Sequence, residues 1–319
     1  MKAIVHDNYG SPDVLRCEEI QKPTARDDEV LVKVHAASAN PADWHTLRAD
    51  PFFIRLMGDG LLKPKHKILG IDIAGRVEAV GRNVKQFRRG DEVFGASKFG
   101  GFAEYVCVTE DRLLLKPASM TFEEAAAVPV AAVTALQGLR DKGQIQPGQK
   151  TLINGASGGV GTFAVQIAKA FKAEVTGVCS TRNLDMVRSI GADHVIDYTR
   201  EDFTQNGRRY DLIIDAAAYR SVSDCRRALS PKGIYVLIGG SLVQLFQVLF
   251  LGPWISMTGK KMGFMMANMN NKDLVFVKEL LEAGKVVPVI DRRYPLSEVA
   301  EALRYLEEGH ARGKVIITV

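Results

Sequence analysis

Over residues 1–116, apolar and polar positions alternate in short runs. Stretches 2–6, 29–37, 73–80, 91–96 and 103–108 carry β-branched residues in a period of two, the signature of half-buried strands. Gly10, Gly70, Gly81, Gly90 and the Gly100-Gly101 pair punctuate them. The pattern predicts an all-β, barrel-like module in which only 51–62 reads as helical or irregular. At Ser119 the period changes. Thr121 is placed to cap a helix, with Glu123 and Glu124 in its first turn, where the helix dipole favours acids. An alanine-rich helical run to Lys142 follows, interrupted at Pro129.

From Lys150 onward, strand and helix patterns take turns. Strands are expected at 151–154, 174–178, 194–197, 211–215 and 233–239, with helices at 162–171, 184–190 and 223–229. Such repetition implies a parallel sheet with helices on both faces. Beyond Lys260 the alternation fades into amphipathic helices at 272–283 and 297–308 and a last strand at 314–319, expected to rejoin the first module. The boundaries read as 1–123, 124–261 and 262–319.

The first strand of the second region ends in a turn of small residues, A-x-G-x-x-G: Ala156, Ser157, Gly158, Gly159, Val160 and Gly161. Between a strand and a helix this pattern binds a dinucleotide. The first small residue makes the turn, the second admits a pyrophosphate, and the third lets helix and strand pack closely. The unpaired N–H groups at the helix start face the anion. Ile238, Gly239 and Gly240 follow a later strand at its carboxyl end, where ligands of open α/β sheets bind.

The second strand runs out into Cys179-Ser180-Thr181-Arg182-Asn183 with no carboxylate before Asp185. An acidic residue there selects NAD, and its absence beside a basic group accommodates a 2′-phosphate. Ser180 and Thr181 offer hydroxyls and Arg182 a guanidinium, so NADPH is the expected cofactor. A solvated Arg182 at a helix start is the plainer alternative.

Composition narrows the field further. The 319 residues suit two domains, and 46% hydrophobic with 25% charged residues is ordinary for a globular protein. A net charge of +5 from scattered Lys and Arg does not suggest nucleic acid. Cys17, Cys107, Cys179 and Cys225 fit neither a disulfide framework nor a zinc site. With strand-like residues from the first position and no evident signal peptide, a cytoplasmic protein is expected. The apolar run 242–257 is broken by Gln244, Gln247, Gly252 and Pro253, so a buried helix or subunit contact is expected there rather than a membrane span.

Several motifs together resemble the medium-chain dehydrogenase/reductase superfamily, and more closely its zinc-independent quinone oxidoreductase branch. They are Asn40-Pro41-Ala42-Asp43, Gly70-Ile71-Asp72-Ile73-Ala74-Gly75 running into Val80-Gly81, and Gly90-Asp91-Glu92-Val93. Gly101-Phe102-Ala103-Glu104-Tyr105, Thr134-Ala135 and the 156–161 turn complete the set. The resemblance spans essentially the whole chain. It implies a GroES-like β-rich catalytic domain joined to a Rossmann, doubly wound parallel-sheet cofactor domain, α/β in class, and a homodimer. The positions that hold catalytic zinc in alcohol dehydrogenases of the superfamily match Asn40, Ile71 and Val130, none of which supplies a thiolate or imidazole. The structural-zinc cysteines are missing too, so no metal is expected. Short-chain dehydrogenases are excluded because no Tyr is followed four residues later by Lys.

Without a Lewis acid, hydride transfer suits an acceptor that spreads charge itself. The expectation is reduction of quinones or α,β-unsaturated carbonyls. A zinc-free ketone or alcohol oxidoreductase and a non-catalytic NADPH-binding regulatory protein are the alternatives. Asn40 donates to an acceptor oxygen or orients cofactor, or else closes an Asn-Pro turn. By resemblance His45 falls where relatives carry a proton-relay His or a Tyr, though Ala42 replaces the relay hydroxyl; a locally satisfied His is the other reading. Thr134 matches a position beside the nicotinamide, or bonds back to a helix carbonyl. Lys314 matches a pyrophosphate-binding cation and Tyr198 a residue near the adenosine phosphate; Asp72 and Glu104 read as structural. Phe52, Phe53, Leu56, Met57, Phe264, Met265 and Met266 are candidates for an apolar slot, with Trp44 as a stacking wall.

Overall fold

The computed structural model describes residues 1–52, 55, 60–239, 242–256 and 259–319, the side chains of 242, 251 and 253–256 excepted. Phe53, Leu56, Met57 and Gly240 lie outside the described residues. The chain forms two compact units: Met1–Val130 with Met269–Lys278 and Pro288–Val319, and Ala131–Asn268 with Glu279–Val287.

In the first unit, β1 (Lys2–Val5) and β2 (Arg16–Glu19) form an antiparallel pair. A seven-stranded sheet follows, with β3 (Glu29–Ala39), β4 (Asp72–Val80), β5 (Glu92–Ala96), β6 (Tyr105–Thr109) and β7 (Leu113–Leu115). Helices α1 (Pro41–Arg48) and α2 (Phe122–Ala126) belong to this unit; α3 (Pro129–Gln137) contains the first boundary between the units. The alternation in β3 puts Val30, Val32 and Val34 into a core with Ile73, Val77, Val93 and Phe102. Each such side chain contributes about 1.5–3 kcal/mol on burial. The expected cap is in place: Glu124 donates its N–H to Thr121 Oγ1 at 3.1 Å, and Thr121 donates its own to Glu124 Oε2 at 2.8 Å.

The second unit is a six-stranded parallel sheet. Its strands are β8 (Lys150–Asn154), β9 (Glu174–Cys179), β10 (His194–Asp197), β11 (Tyr210–Asp215), β12 (Leu229–Leu237) and β13 (Lys261–Phe264). The spatial order is β10-β9-β8-β11-β12-β13, all parallel. This is the doubly wound order that reverses beside the first strand. Helices α4 (Gly159–Ala170), α5 (Leu184–Ser189), α6 (Val222–Ala228) and α7 (Leu242–Ser256) connect the strands. The chain returns to the first unit at Met269, and the next boundary, between Lys278 and Glu279, falls in α8 (Asn271–Glu282).

The chain then completes the first unit with β14 (Ile290–Pro295), α9 (Val299–Glu307) and β15 (Lys314–Thr318). β15 pairs antiparallel with β3, Val315 facing Ala39, so the last strand does rejoin the first module. Four strands escape the alternation pattern. β2 is exposed throughout, β14 has no buried residue, and β7 and β13 have three and four residues. Strands this short, or without a buried face, leave no period of two to read.

Candidate functional site

In the second unit, the sheet changes direction between β8 and β11, and their carboxyl ends are joined. Asn154 donates its amide N–H to Asp215 Oδ1 at 2.8 Å, and Tyr235 donates to Oδ2 at 2.8 Å. Ala217 and Ala218 also donate backbone N–H groups to Asp215, and burial pushes this carboxyl above the usual range. Ile238 and Gly239 donate N–H groups to the Asp215 carbonyl at 2.9 and 3.4 Å. They thus follow β12 at its carboxyl end, bonded to the end of β11.

Between Asn154 and α4 lies the glycine turn. Gly155 makes it, at φ +81°, rather than Ala156. Ala156 is fully buried, and a Cβ placed on Gly177 of β9 would come within 3.1 Å of its methyl. A Cβ on Gly161 would stand 2.0 Å from the Gly155 carbonyl oxygen, so only glycine lets α4 approach this closely. Gly158 differs, since a Cβ there would meet that oxygen at 3.5 Å. Gly158 is also the N-cap of α4 and supplies no side-chain cap, which leaves the N–H groups of Gly159, Val160 and Gly161 for an anion. An open glycine at an uncapped helix start fits the pyrophosphate of NADPH.

At the end of β9, Asn183 donates to Ser157 Oγ at 3.0 Å and Ser180 Oγ at 3.2 Å, tying this edge to the glycine turn. Thr181 has a different role from the one expected. Its hydroxyl donates to Asp197 Oδ2 at 2.5 Å, and Thr199 donates to Oδ1 from both backbone and side chain. The Thr181 hydroxyl leads the interactions that hold the Asp197 carboxyl below its usual range. Asp197 is a carboxylate beside the candidate ribose position that sequence reasoning missed, because it comes from the third strand. Tyr198 next to it is exposed and packs at a tilt on Tyr219, ring centroids 5.5 Å apart. Arg182 is exposed, whereas Thr134 is 7% exposed on α3. Of the expected slot residues in this unit, Met265 is buried, Phe264 packs against the core and Met266 is exposed.

In the first unit, Asn40, Asp43, Asp72 and Lys314 meet in one buried cluster, each at most 3% exposed. Lys314, expected to reach outward to a phosphate, is turned inward. Its ammonium donates to Asn40 Oδ1 at 2.6 Å and Asp72 Oδ2 at 3.3 Å. An ammonium so buried needs such partners to offset its lost hydration. Asn40 Nδ2 donates to Asp72 Oδ2 at 3.0 Å and to the Ser38 carbonyl at 3.3 Å, while Ser38 Oγ donates to Asp72 at 2.8 Å. Both amide hydrogens of Asn40 are therefore committed, and the expected donation to an acceptor oxygen gives way to a place in this network. The Val130 N–H donates to Asp72 Oδ1 at 2.9 Å.

Asp43 accepts the Asn40 N–H at 2.7 Å and the Gly70 N–H at 3.1 Å. Its full burial nevertheless pushes the carboxyl up to about 7. The N-x-x-D spacing of a helix start was the signal available for it. Two residues on, His45 bonds through Nδ1 to the Asp50 carbonyl at 2.6 Å and stacks on Trp44 with centroids 3.6 Å apart. A carbonyl only accepts, so Nδ1 carries the proton and Nε2 is the nitrogen left for exchange. Phe52 is exposed, with the Arg55 guanidinium over its ring at 5.2 Å.

Comparison with known proteins agrees with both units. The alcohol dehydrogenase GroES-like domain matches residues 26–118, and the zinc-binding dehydrogenase family matches 190–317. Among curated proteins, a 2-methylene-furan-3-one reductase of Solanum lycopersicum is 37% identical over 99% of this chain and 79% of its own. An NADPH-dependent alkenal/one oxidoreductase, chloroplastic, of Arabidopsis thaliana is 35% identical over the same shares. A solved quinone oxidoreductase from Coxiella burnetii superposes with a TM-score of 0.88 at 30% identity, covering 100% of this chain and 99% of that one.

Proposed function

The chain belongs to the medium-chain dehydrogenase/reductase superfamily as a quinone oxidoreductase-like member, and from that premise we propose that it reduces quinones or α,β-unsaturated carbonyls with NADPH, without zinc. The observation that carries the reading is the glycine turn at the β8/β11 switch point, whose open Gly158 and uncapped α4 fit a pyrophosphate. The names of the relatives, an enone reductase and an NADPH-dependent alkenal/one oxidoreductase, supply the acceptor class.

Zinc independence rests on what occupies the ligand positions. Ile71 and Val130 carry no donor side chain, and the Asn40 amide oxygen already accepts from the Lys314 ammonium at 2.6 Å. A positive charge in that place repels a divalent cation. NADPH, when bound, would supply the hydride to an electron-poor acceptor able to spread the resulting charge. The N–H groups at the start of α4 hold the pyrophosphate, and Ser157, Ser180 and Asn183 shape the ribose edge. Arg182 and Tyr198 flank the 2′-phosphate, and Ile238, Gly239 and Thr134 border the nicotinamide half. A proton is passed to the carbanionic or oxyanionic product through Nε2 of His45, whose Nδ1–H is committed to the Asp50 carbonyl.

Purified protein is expected to oxidise NADPH with 1,4-benzoquinone and trans-2-hexenal but not with cyclohexanone. Failure with every activated acceptor, measured at 340 nm, sinks the reading, and equal rates on the ketone turn it towards a plain carbonyl reductase. Arg182→Ala is expected to weaken NADPH binding about tenfold, the loss of one charge-assisted contact, with NADH affinity nearly unchanged. Equal losses in fluorescence titrations with the two cofactors count against the 2′-phosphate assignment.

A homodimer is part of the same proposal. Val243, Phe246, Leu249 and Phe250 expose an apolar face on α7, next in the chain to the edge strand β13. The free cysteines fit a reducing compartment such as the cytoplasm. No described helix is long and apolar enough to cross a membrane.

A further inference from the structure

We infer that Asp72 and Lys314 are positioning residues that act through Asn40 on the start of α1 and so on His45, and that Lys314 serves this role instead of binding the cofactor phosphates. The inference rests on the reading of His45 as proton donor.

The hydrogen bonding of Asn40 is complete on both sides of its amide. Oδ1 accepts from Lys314, and the two hydrogens of Nδ2 go to Asp72 and to the Ser38 carbonyl. Rotating the amide would break all three bonds at once. Asp72 Oδ2 gathers three donors, from Ser38, Asn40 and Lys314, and Oδ1 takes the Val130 N–H. The ion pair is dehydrated, with side-chain exposures of 3% for Lys314 and 0% for Asp72. Neither charge has water as an alternative partner, so the cluster keeps one arrangement.

Asn40 is the N-cap of α1 and precedes Pro41, whose ring fixes the backbone at the first helical position. Asp43 in that first turn takes the N–H groups of Asn40 and Gly70, linking the helix start to the approach to β4. α1 has only eight residues, and His45 is in its middle. A shift or tilt of the first turn is therefore carried to the imidazole with nothing between to absorb it. A displacement of about 1 Å at a reacting group can lower a rate about a hundredfold. The ammonium of Lys314, meanwhile, makes its bonds inside the unit, which argues for orientation over ligand binding.

The test is the double variant Asp72→Asn/Lys314→Met. It removes both charges together and leaves neither unpaired in the interior. The expected result is an unfolding midpoint close to wild type and an NADPH dissociation constant within about twofold, with kcat for trans-2-hexenal reduced about tenfold or more. In a His45→Phe background the same pair of changes is expected to cause no further loss, because their effect passes through His45. Asn40→Ala keeps the ion pair, provides a second route, and should reproduce the fall in kcat at unchanged NADPH affinity.

A tenfold rise in the NADPH dissociation constant of the double variant would instead assign Lys314 to the cofactor phosphates. Equal losses with and without His45, or unchanged turnover in Asn40→Ala, also overturn the inference. The cofactor titrations need no turnover, so they test Lys314 even if the wild-type protein is inactive with every acceptor, a result that strikes the functional reading alone.

Discussion

Gly161→Ala is expected to unfold at a temperature lower by roughly 10 °C, with NADPH binding lost alongside. The new methyl would stand 2.0 Å from the Gly155 carbonyl oxygen, a backbone atom that no rotamer change can move. α4 must then lift away from β8, at a cost of about 3 kcal/mol, the upper end for overpacking; for a domain of this size each kcal/mol lowers the midpoint by roughly 2–4 °C. Gly158→Ala separates binding from folding. Its methyl would meet the same oxygen at 3.5 Å, ordinary van der Waals contact, so the midpoint should stay put. NADPH affinity should still fall about tenfold, because the methyl intrudes where phosphate approaches backbone. Thermal unfolding and fluorescence titration of the two variants check both halves. Wild-type affinity in Gly158→Ala would remove the pyrophosphate from this turn.

The second large effect is a pH dependence. Burial holds the Asp43 carboxyl up at about 7 against 3.8, even though two backbone N–H groups favour its charged form. The folded state thus binds this proton more tightly than the unfolded chain does. Its contribution to stability is fullest below pH 3.8 and is lost as pH rises towards about 7, by roughly 4 kcal/mol in all. Asp215, also pushed up by burial, adds a slope of the same sign, so the informative quantity is a difference. Between pH 4 and 8, urea unfolding of wild type minus Asp43→Asn is expected to decline by that amount and then level off. A difference that stays flat across this interval would mean that Asp43 is ionised throughout.

Much of the nucleotide-binding architecture could be read in the chain because it depends on neighbours in sequence. The small residues at 156–161 announced a strand-turn-helix, and Thr121 with Glu124 announced a cap, since turns and helix starts are made within a few residues. Within that motif the structure corrects which residue turns: Gly155, one step earlier, has the positive φ. The absence of a carboxylate after β9 was equally visible, but Asp197, which accepts the Thr181 proton, was not. It lies 16 residues further on and arrives beside β9 only because β10 pairs there.

What the sequence by itself determined is local: the period of most strands, the helix start at Thr121, the strand-turn-helix at the glycine turn, and the lack of zinc-binding side chains at Asn40, Ile71 and Val130. What tertiary structure alone decided is the partnering of charges. Lys314 is 274 residues from Asn40 and 242 from Asp72 in the chain, and β15 brings it beside them by pairing with β3. No periodicity records such a meeting. Whether a lysine faces solvent or is dehydrated against a carboxylate depends on which distant strand folds over it, and that sets both its partners and its chemistry.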